Sequence, residues 1–282
     1  MPQADRSSGP AQTGWFAGRN VVVTGASSGI GRDIAQTFAG YGASVAILAR
    51  REQMLVDLAD QIGRAGGKAL PIVCDVTREG DVRDAIARAN REHGPLDILV
   101  NNAGVSIPGK TLEMRGDDLH QMMDVNFYGT VYATQAALPV MLEAGRGNIV
   151  NIASLAGRRG MSPLGGYCAT KFAVVGFTEA LRMELFGTGI SASLVMPGVV
   201  DTPMVREFQR QAIPAGFAMP ARWVTWAVLA AVTMGLAEVD VPFGAATAEK
   251  LASLFPEMTG ALLGMGARVF EYISTLAGRN AR

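Results

Sequence analysis

A doubly wound α/β fold, with a mostly parallel seven-stranded sheet, helices on both faces and a C-terminal helical extension, is what the sequence predicts. Two observations carry that reading. Short β-branched runs alternate with helical spacing from Asn20 to Pro242. Runs such as Val21-Val22-Val23 and Ile98-Leu99-Val100 lack inside/outside alternation, which marks strands buried on both faces and hence a parallel sheet between helical layers.

The strands are expected at Asn20–Thr24, Ser44–Ala49, Ala69–Cys74, Ile98–Asn101, Asn148–Ala153 and Ile190–Met196, with a short seventh at Glu238–Pro242. Helical spacing fills Gly29–Tyr41, Arg51–Gly66, Arg78–His93, Asp117–Ala144 and Ser162–Gly187, and another helix precedes the seventh strand. No repeat or linker interrupts the alternation, so residues 15–245 read as a single domain. Residues 1–14, polar with Pro, Gly and Ser, read as a flexible tail, and 246–282 as an apolar helical extension.

Lys plus Arg equals Asp plus Glu at 25 each, which leaves no global field to attract nucleic acid. The two cysteines, Cys74 and Cys168, lie far apart and suit a reducing, cytoplasmic setting without disulfides. The longest quiet apolar stretch, Val224 to Ala237, falls short of the ~20 residues a membrane span needs. His93 and His120 stand outside every motif, so no metal site is expected.

Strand one runs into Thr24-Gly25-Ala26-Ser27-Ser28-Gly29-Ile30-Gly31, which opens a helix. Glycines there let the backbone turn tightly and approach a pyrophosphate, while free amides and the helix dipole stabilise its charge. At the end of strand two, Leu48-Ala49-Arg50-Arg51 carries no acid. A carboxylate there would pair with the ribose hydroxyls of NAD, whereas an arginine fork binds a 2′-phosphate. Tyr167 and Lys171, four apart in a helical pattern, share one helix face.

The Gly-x-x-x-Gly-x-Gly turn, Asn101-Asn102-Ala103-Gly104 and Tyr167-x-x-x-Lys171, with Ser154 thirteen residues before the tyrosine, resemble the short-chain dehydrogenase/reductase family in order and spacing from about residue 18 to 205. The resemblance implies a Rossmann-type fold and an oxidoreductase that interconverts a carbonyl and an alcohol by hydride transfer. It assigns Ser154 to the substrate oxygen, Tyr167 to proton transfer and Lys171 to lowering the tyrosine pKa while holding the nicotinamide ribose. Asn126 matches the helix residue that supports a proton-relay water.

The cofactor set it implies is Gly25, Ser27, Ser28, Gly29, Ile30, Gly31, Arg50, Asp75, Val76, Asn102, Ala103, Gly104, Tyr167, Lys171, Pro197, Gly198, Val200 and Thr202. Asp75-Val76 would meet the adenine, and Pro197-Gly198 the nicotinamide carboxamide. Arg50 occupies the family's NADP-type position, so NADP(H) is preferred and NAD(H) is the alternative. A non-catalytic NADP-sensing regulator of the same fold is the rival reading, but such a protein has no need of Asn126, Ser154, Tyr167 and Lys171 together.

Three loops, Val105–Pro108, Leu155–Met161 and Met204–Met219, are rich in apolar side chains and point to a lipophilic carbonyl or alcohol substrate. Arg158, Arg159, Arg206 and Arg210 offer the opposing reading, recognition of an acidic group. Cys168, beside Tyr167, is read as an inert buried thiol. The C-terminal stripe (Leu251, Leu254, Phe255, Leu262, Leu263, Met265, Val269, Phe270, Ile273, Leu276) suits a lid or core contact, a subunit contact or, least favoured, a membrane surface. The family's habit implies a homodimer or homotetramer.

Overall fold

The computed structural model describes residues 14–206 and 218–245 and, beyond them, residues 252, 254, 255, 257, 259, 261 and 265. Apart from Gly14 and those seven positions, the expected tail over 1–14 and the extension over 246–282 lie outside the described residues, as do Arg210 and the 207–217 part of the third apolar loop.

The described chain alternates strand and helix: β1 Asn20–Thr24, α1 Gly29–Gly40, β2 Ser44–Ala49, α2 Glu52–Arg64, β3 Lys68–Val73, α3 Glu79–His93 and β4 Leu96–Asn101. There follow α4 Gly116–Met123, α5 Gly129–Ala144, β5 Gly147–Ile152, α6 Gly165–Glu184, β6 Ile190–Pro197, α7 Ala221–Met234 and β7 Glu238–Val241. All seven strands pair in parallel, in the order β3-β2-β1-β4-β5-β6-β7. Every described pairing is parallel, where the sequence reading allowed a mixed edge.

The buried runs divide by parity. Val21, Val23, Ile47 and Ile98 pack with Ile34 and Phe38 of α1, Leu55 and Leu58 of α2 and Val224 and Val228 of α7. Val22, Leu48 and Leu99 face the other way, onto Val82 and Ile86 of α3, Ala137 and Met141 of α5 and Leu181 of α6. Consecutive β-branched residues thus each bury a side chain on alternate faces. A polar ladder crosses the second face: Asn101 Nδ2 donates to Asn151 Oδ1 at 2.8 Å, and Asn151 Nδ2 donates to Thr178 Oγ1 at 2.8 Å.

The helix expected over Asp117–Ala144 is interrupted. A five-residue π-helical turn, Asp124–Tyr128, separates α4 from α5. A π turn inserts one residue into the helical ladder and redirects the side chains in it; here it carries Asn126 inward, where the residue is 1% exposed. Because β1 connects to β2 on one side and β4 lies on the other, a crevice opens between their C-terminal ends, where open parallel sheets bind ligands.

Candidate active site

The glycine turn after β1 is built for close approach. Gly25 has φ +66° and Gly29 φ +56°, both in the left-handed region that favours glycine. A β-carbon on Gly25 would fall 2.8 Å from the Cα of Ala103, and one on Gly31 would strike the side-chain amide of Asn102. That amide donates to the carbonyls of Thr24 at 2.9 Å and Gly25 at 3.3 Å, while Thr24 Oγ1 accepts from the backbone N–H groups of Asn102 and Ala103, each at 3.0 Å. The second asparagine of the Asn-Asn-Ala-Gly segment therefore ties the ends of β1 and β4 together. Ser28, at the N-cap of α1, makes no side-chain cap, so it leaves the first-turn amides to other partners.

Arg50 and Arg51 are both exposed on the same cleft. Arg51 reaches across it and donates from Nη2 to Ser27 Oγ at 2.7 Å and Ser28 Oγ at 2.9 Å. The sequence points to Arg50; the reach of Arg51 depends on β1 and β2 being neighbours. Asp75 accepts from the N–H and hydroxyl of Thr77, at 3.1 and 2.9 Å, which folds its carboxylate into a local turn. Val76 is buried beneath Gly129, where a β-carbon would fall 2.9 Å from its Cγ2.

At the other end, Ser154 follows β5 and caps a single 3₁₀ turn, Leu155–Gly157. Its Oγ accepts from Ala156 N at 3.1 Å and donates to the carbonyl of Pro197 at 3.2 Å. Tyr167 and Lys171 project from the first half of α6. Lys171 is 4% exposed, donates from Nζ to the carbonyl of Ile152 at 2.8 Å, and lies 5.8 Å from the Tyr167 ring centroid.

Burial pushes the Lys171 ammonium down to about 8. Burial also pushes the Tyr167 phenol up to about 12, against a hydrogen bond with Ser154 that favours the phenolate. Burial outweighs that hydrogen bond. Burial likewise raises the Cys168 thiol, which accepts from Met161 N at 3.4 Å.

Asn126 ties the loop after β4 to the helices beside it. Its Oδ1 accepts from Val105 N at 2.7 Å, and its Nδ2 donates to the Val105 carbonyl and to Thr170 Oγ1, each at 2.9 Å. Its carbonyl accepts from Thr130 Oγ1 at 2.9 Å. The side chain thus clamps the loop after β4 to α6 one residue before Lys171.

A single cleft of about 710 Å³ gathers most of the sequence-derived set: Gly25, Ser27, Ser28, Gly29, Ile30, Arg50, Asp75, Val76, Asn102, Ala103, Gly104, Ser154, Tyr167, Lys171, Pro197, Gly198, Val200 and Thr202. Gly31 and Asn126 stand just behind its wall. Of the apolar loops, Val105, Ser106 and Pro108 and then Met204 and Val205 line the cleft, but no residue of Leu155–Met161 does.

Two of the arginines that could recognise an acidic substrate, Arg158 and Arg206, have other partners. Arg158 is held by Glu179 and Glu238, and Arg206 forms a fork to both oxygens of Asp201, which holds that carboxyl below the usual range. Among the described residues no group of three or more His, Cys, Asp or Glu could hold a metal ion, and no helix is long and apolar enough to cross a membrane.

Comparison with known proteins gives consistent matches. Residues 19–213 match the short chain dehydrogenase family. An uncharacterized oxidoreductase of Staphylococcus aureus is 39% identical over 66% of this chain and 80% of its own length. The ketoacyl reductase HetN of Nostoc sp. is 35% identical over 80% of this chain and 79% of its own. Among solved structures, an actinorhodin polyketide ketoreductase variant with NADPH superposes with a TM-score of 0.75 at 34% identity, covering 81% of this chain and 97% of that one. A short chain dehydrogenase/reductase of Burkholderia phymatum in complex with NAD gives 0.76 at 28% identity, covering 80% and 89%.

Proposed function

The chain belongs to the short chain dehydrogenase family and is an oxidoreductase, and on that premise we propose that it transfers hydride between NADP(H) and a lipophilic carbonyl or alcohol, with Tyr167 as acid and base. The observation that carries this reading is the sharing of one cleft by Ser154, Tyr167 and Lys171 with the glycine turn and Arg50.

The residues fit a dinucleotide. Gly25 and Gly31 pack so closely on Ala103 and Asn102 that the glycine turn is held at the cleft, and the uncapped amides of α1 suit a pyrophosphate. When bound, the nicotinamide supplies the hydride and, oxidised, a positive charge that favours the phenolate. The Ser154 hydroxyl turns from the Pro197 carbonyl to donate a hydrogen bond to the substrate oxygen and keeps its proton. Tyr167 gives its proton to that oxygen in reduction and takes it back in oxidation. Lys171, anchored on Ile152, keeps a cation beside the ring.

Arg50 and Arg51, with no carboxylate at the end of β2, favour the 2′-phosphate of NADP(H), and the NADPH held by the ketoreductase structure agrees. The NAD in the Burkholderia relative keeps NAD(H) as the alternative. The apolar lining from Val105, Pro108, Met204 and Val205, and the prior engagement of Arg158 and Arg206, support an uncharged, lipophilic substrate. We read the chain as a homo-oligomer, which exposed Tyr128 and Leu142 on one helical face and Phe172 and Met183 on the next support.

The test is turnover of a panel of ketones and aldehydes with each cofactor, in the parent and in Tyr167→Phe. NADPH oxidation should fall by at least ~10²-fold in the variant while cofactor binding survives. Unchanged turnover removes Tyr167 from the mechanism.

A further inference from the structure

Arg158 never reaches the cleft, yet it joins the turn after Ser154 to α6, which lines the cleft, and to β7. Its side chain is 15% exposed, with Nη1 donating to Glu179 Oε1 at 3.0 Å and Nη2 donating to Glu238 Oε1 at 2.7 Å. Glu179 lies on α6 two turns beyond Lys171, and Glu238 begins β7, in register with Leu194 of β6. We propose that Arg158 is a positioning residue, which fixes the Ser154 hydroxyl against Tyr167 by clamping the 155–157 turn to α6 and to the β6–β7 edge. The proposal rests on the catalytic reading of Ser154 and Tyr167.

The hydrogen bonds of the turn's own backbone are local, so they do not set its direction relative to its neighbours. Gly157 N donates to the Ser154 carbonyl at 2.8 Å and Arg158 N to that of Leu155 at 2.9 Å, each within the turn. Beyond it, the Ser154 hydroxyl is anchored through the Pro197 carbonyl at 3.2 Å. At Gly157 the turn lies directly on α6, since a β-carbon there would fall 2.8 Å from the Lys171 carbonyl oxygen. Leu155, packed on Val174, Val175, Leu194 and Met196, and the buried Ala156 add apolar contacts with α6 and β6, which have little direction of their own.

Arg158, at the end of the same turn, adds a directed tie to both neighbours. One nitrogen pulls the turn toward the helix bearing Tyr167 and Lys171, and the other toward the strand pair that presents Pro197. A planar guanidinium can hold two carboxylates in fixed directions, whereas a lysine ammonium on a flexible stem cannot. Its Nε is buried without a partner, so the two outer nitrogens carry the whole interaction.

Losing the fork lets Ser154 drift relative to the phenol, and a displacement of ~1 Å costs up to ~10²-fold in rate. The nucleotide end, held separately by Asn102 and Arg51, stays as it was. This separates a positioning role from a general loss of structure.

The experiment compares the full-length parent with Arg158→Met, Arg158→Lys and Glu179→Gln, using NADPH and a ketone the parent reduces. We expect kcat to fall about tenfold in Arg158→Met and less in the other two, with the KM for NADPH within about twofold of the parent. The basic limb of the kcat/KM pH profile should shift as well, because the phenol's surroundings change when Ser154 moves. If Arg158→Met does not fold, Arg158→Lys and Glu179→Gln carry the same expectation.

Parental kcat and pH profile in folded, NADPH-binding variants overturn the proposal. So does a loss shared equally by NADPH affinity and kcat. Should Tyr167→Phe keep parental turnover, the functional reading is what fails, and hydrogen exchange decides the clamp. Residues 154–158 must then exchange faster in Arg158→Met while α1 is unchanged, and unaltered exchange overturns it.

Discussion

Lys171 donates its ammonium proton to the carbonyl of Ile152 across 2.8 Å, so the last residue of β5 holds a buried cation against the Tyr167 ring. The site thereby carries its own electrostatic cost.

Burial depresses the Lys171 ammonium from 10.5 to about 8. Both the folded and unfolded chains hold the proton below pH 8, and the folded form then bears the full penalty of a buried charge. From about 8 to 10.5 the unfolded chain binds more protons, so this group's contribution to stability improves as pH rises, by up to about 3 kcal/mol. Thermal melts of Lys171→Met and the parent should differ more in the variant's favour at pH 7 than at pH 9.5. A difference that does not change with pH means Lys171 does not titrate in this range.

Gly31 is packed against the amide that joins β1 to β4. Gly31→Ala must displace Asn102, and overpacking of this kind costs about 1–3 kcal/mol. The glycine turn should loosen, with NADPH binding weakened roughly tenfold. Fluorescence titration and a melt measure both, and a variant with parental affinity shows that Asn102 does not hold the turn.

At the end of β2, Arg50→Asp replaces a phosphate-binding fork with a group that repels phosphate and accepts from ribose hydroxyls. The expected result is a loss of at least about tenfold in kcat/KM with NADPH and a far smaller change with NADH. Arg51→Ala should fall in the same direction, because its guanidinium already spans to Ser27 and Ser28. Equal losses with the two cofactors would take the 2′-phosphate away from this pair.

Asn126→Ala strips both backbone partners from Val105 and one from Thr170. Unpaired buried polar groups each cost about 1–3 kcal/mol, so urea unfolding should register a loss of about 2–4 kcal/mol. A change under about 0.5 kcal/mol would show that Val105 finds other partners.

Much of this architecture was written locally. The run Val21 to Val23, the glycine turn ending at Gly31 and the spacing of Ser154, Tyr167 and Lys171 depend on neighbours along the chain, and the periods of strand and helix make them legible. Strand limits agree within a residue or two, and most of the residues marked for the site line one cleft.

By itself the sequence determined a parallel sheet, the place of its crevice and the residue types brought there, because hydrophobic period and backbone freedom are properties of short segments. The tertiary structure alone decided how the polar groups are spent. Arg158 finds its carboxylates 21 and 80 residues away, Arg51 reaches serines 24 and 23 residues back, and Asn126 bonds a loop 21 residues before it. No local pattern encodes such partners. They are selected by strand order and by the requirement that a buried charge or amide be paired, and the π turn at Asp124–Tyr128 accompanies one such pairing inside an otherwise helical run.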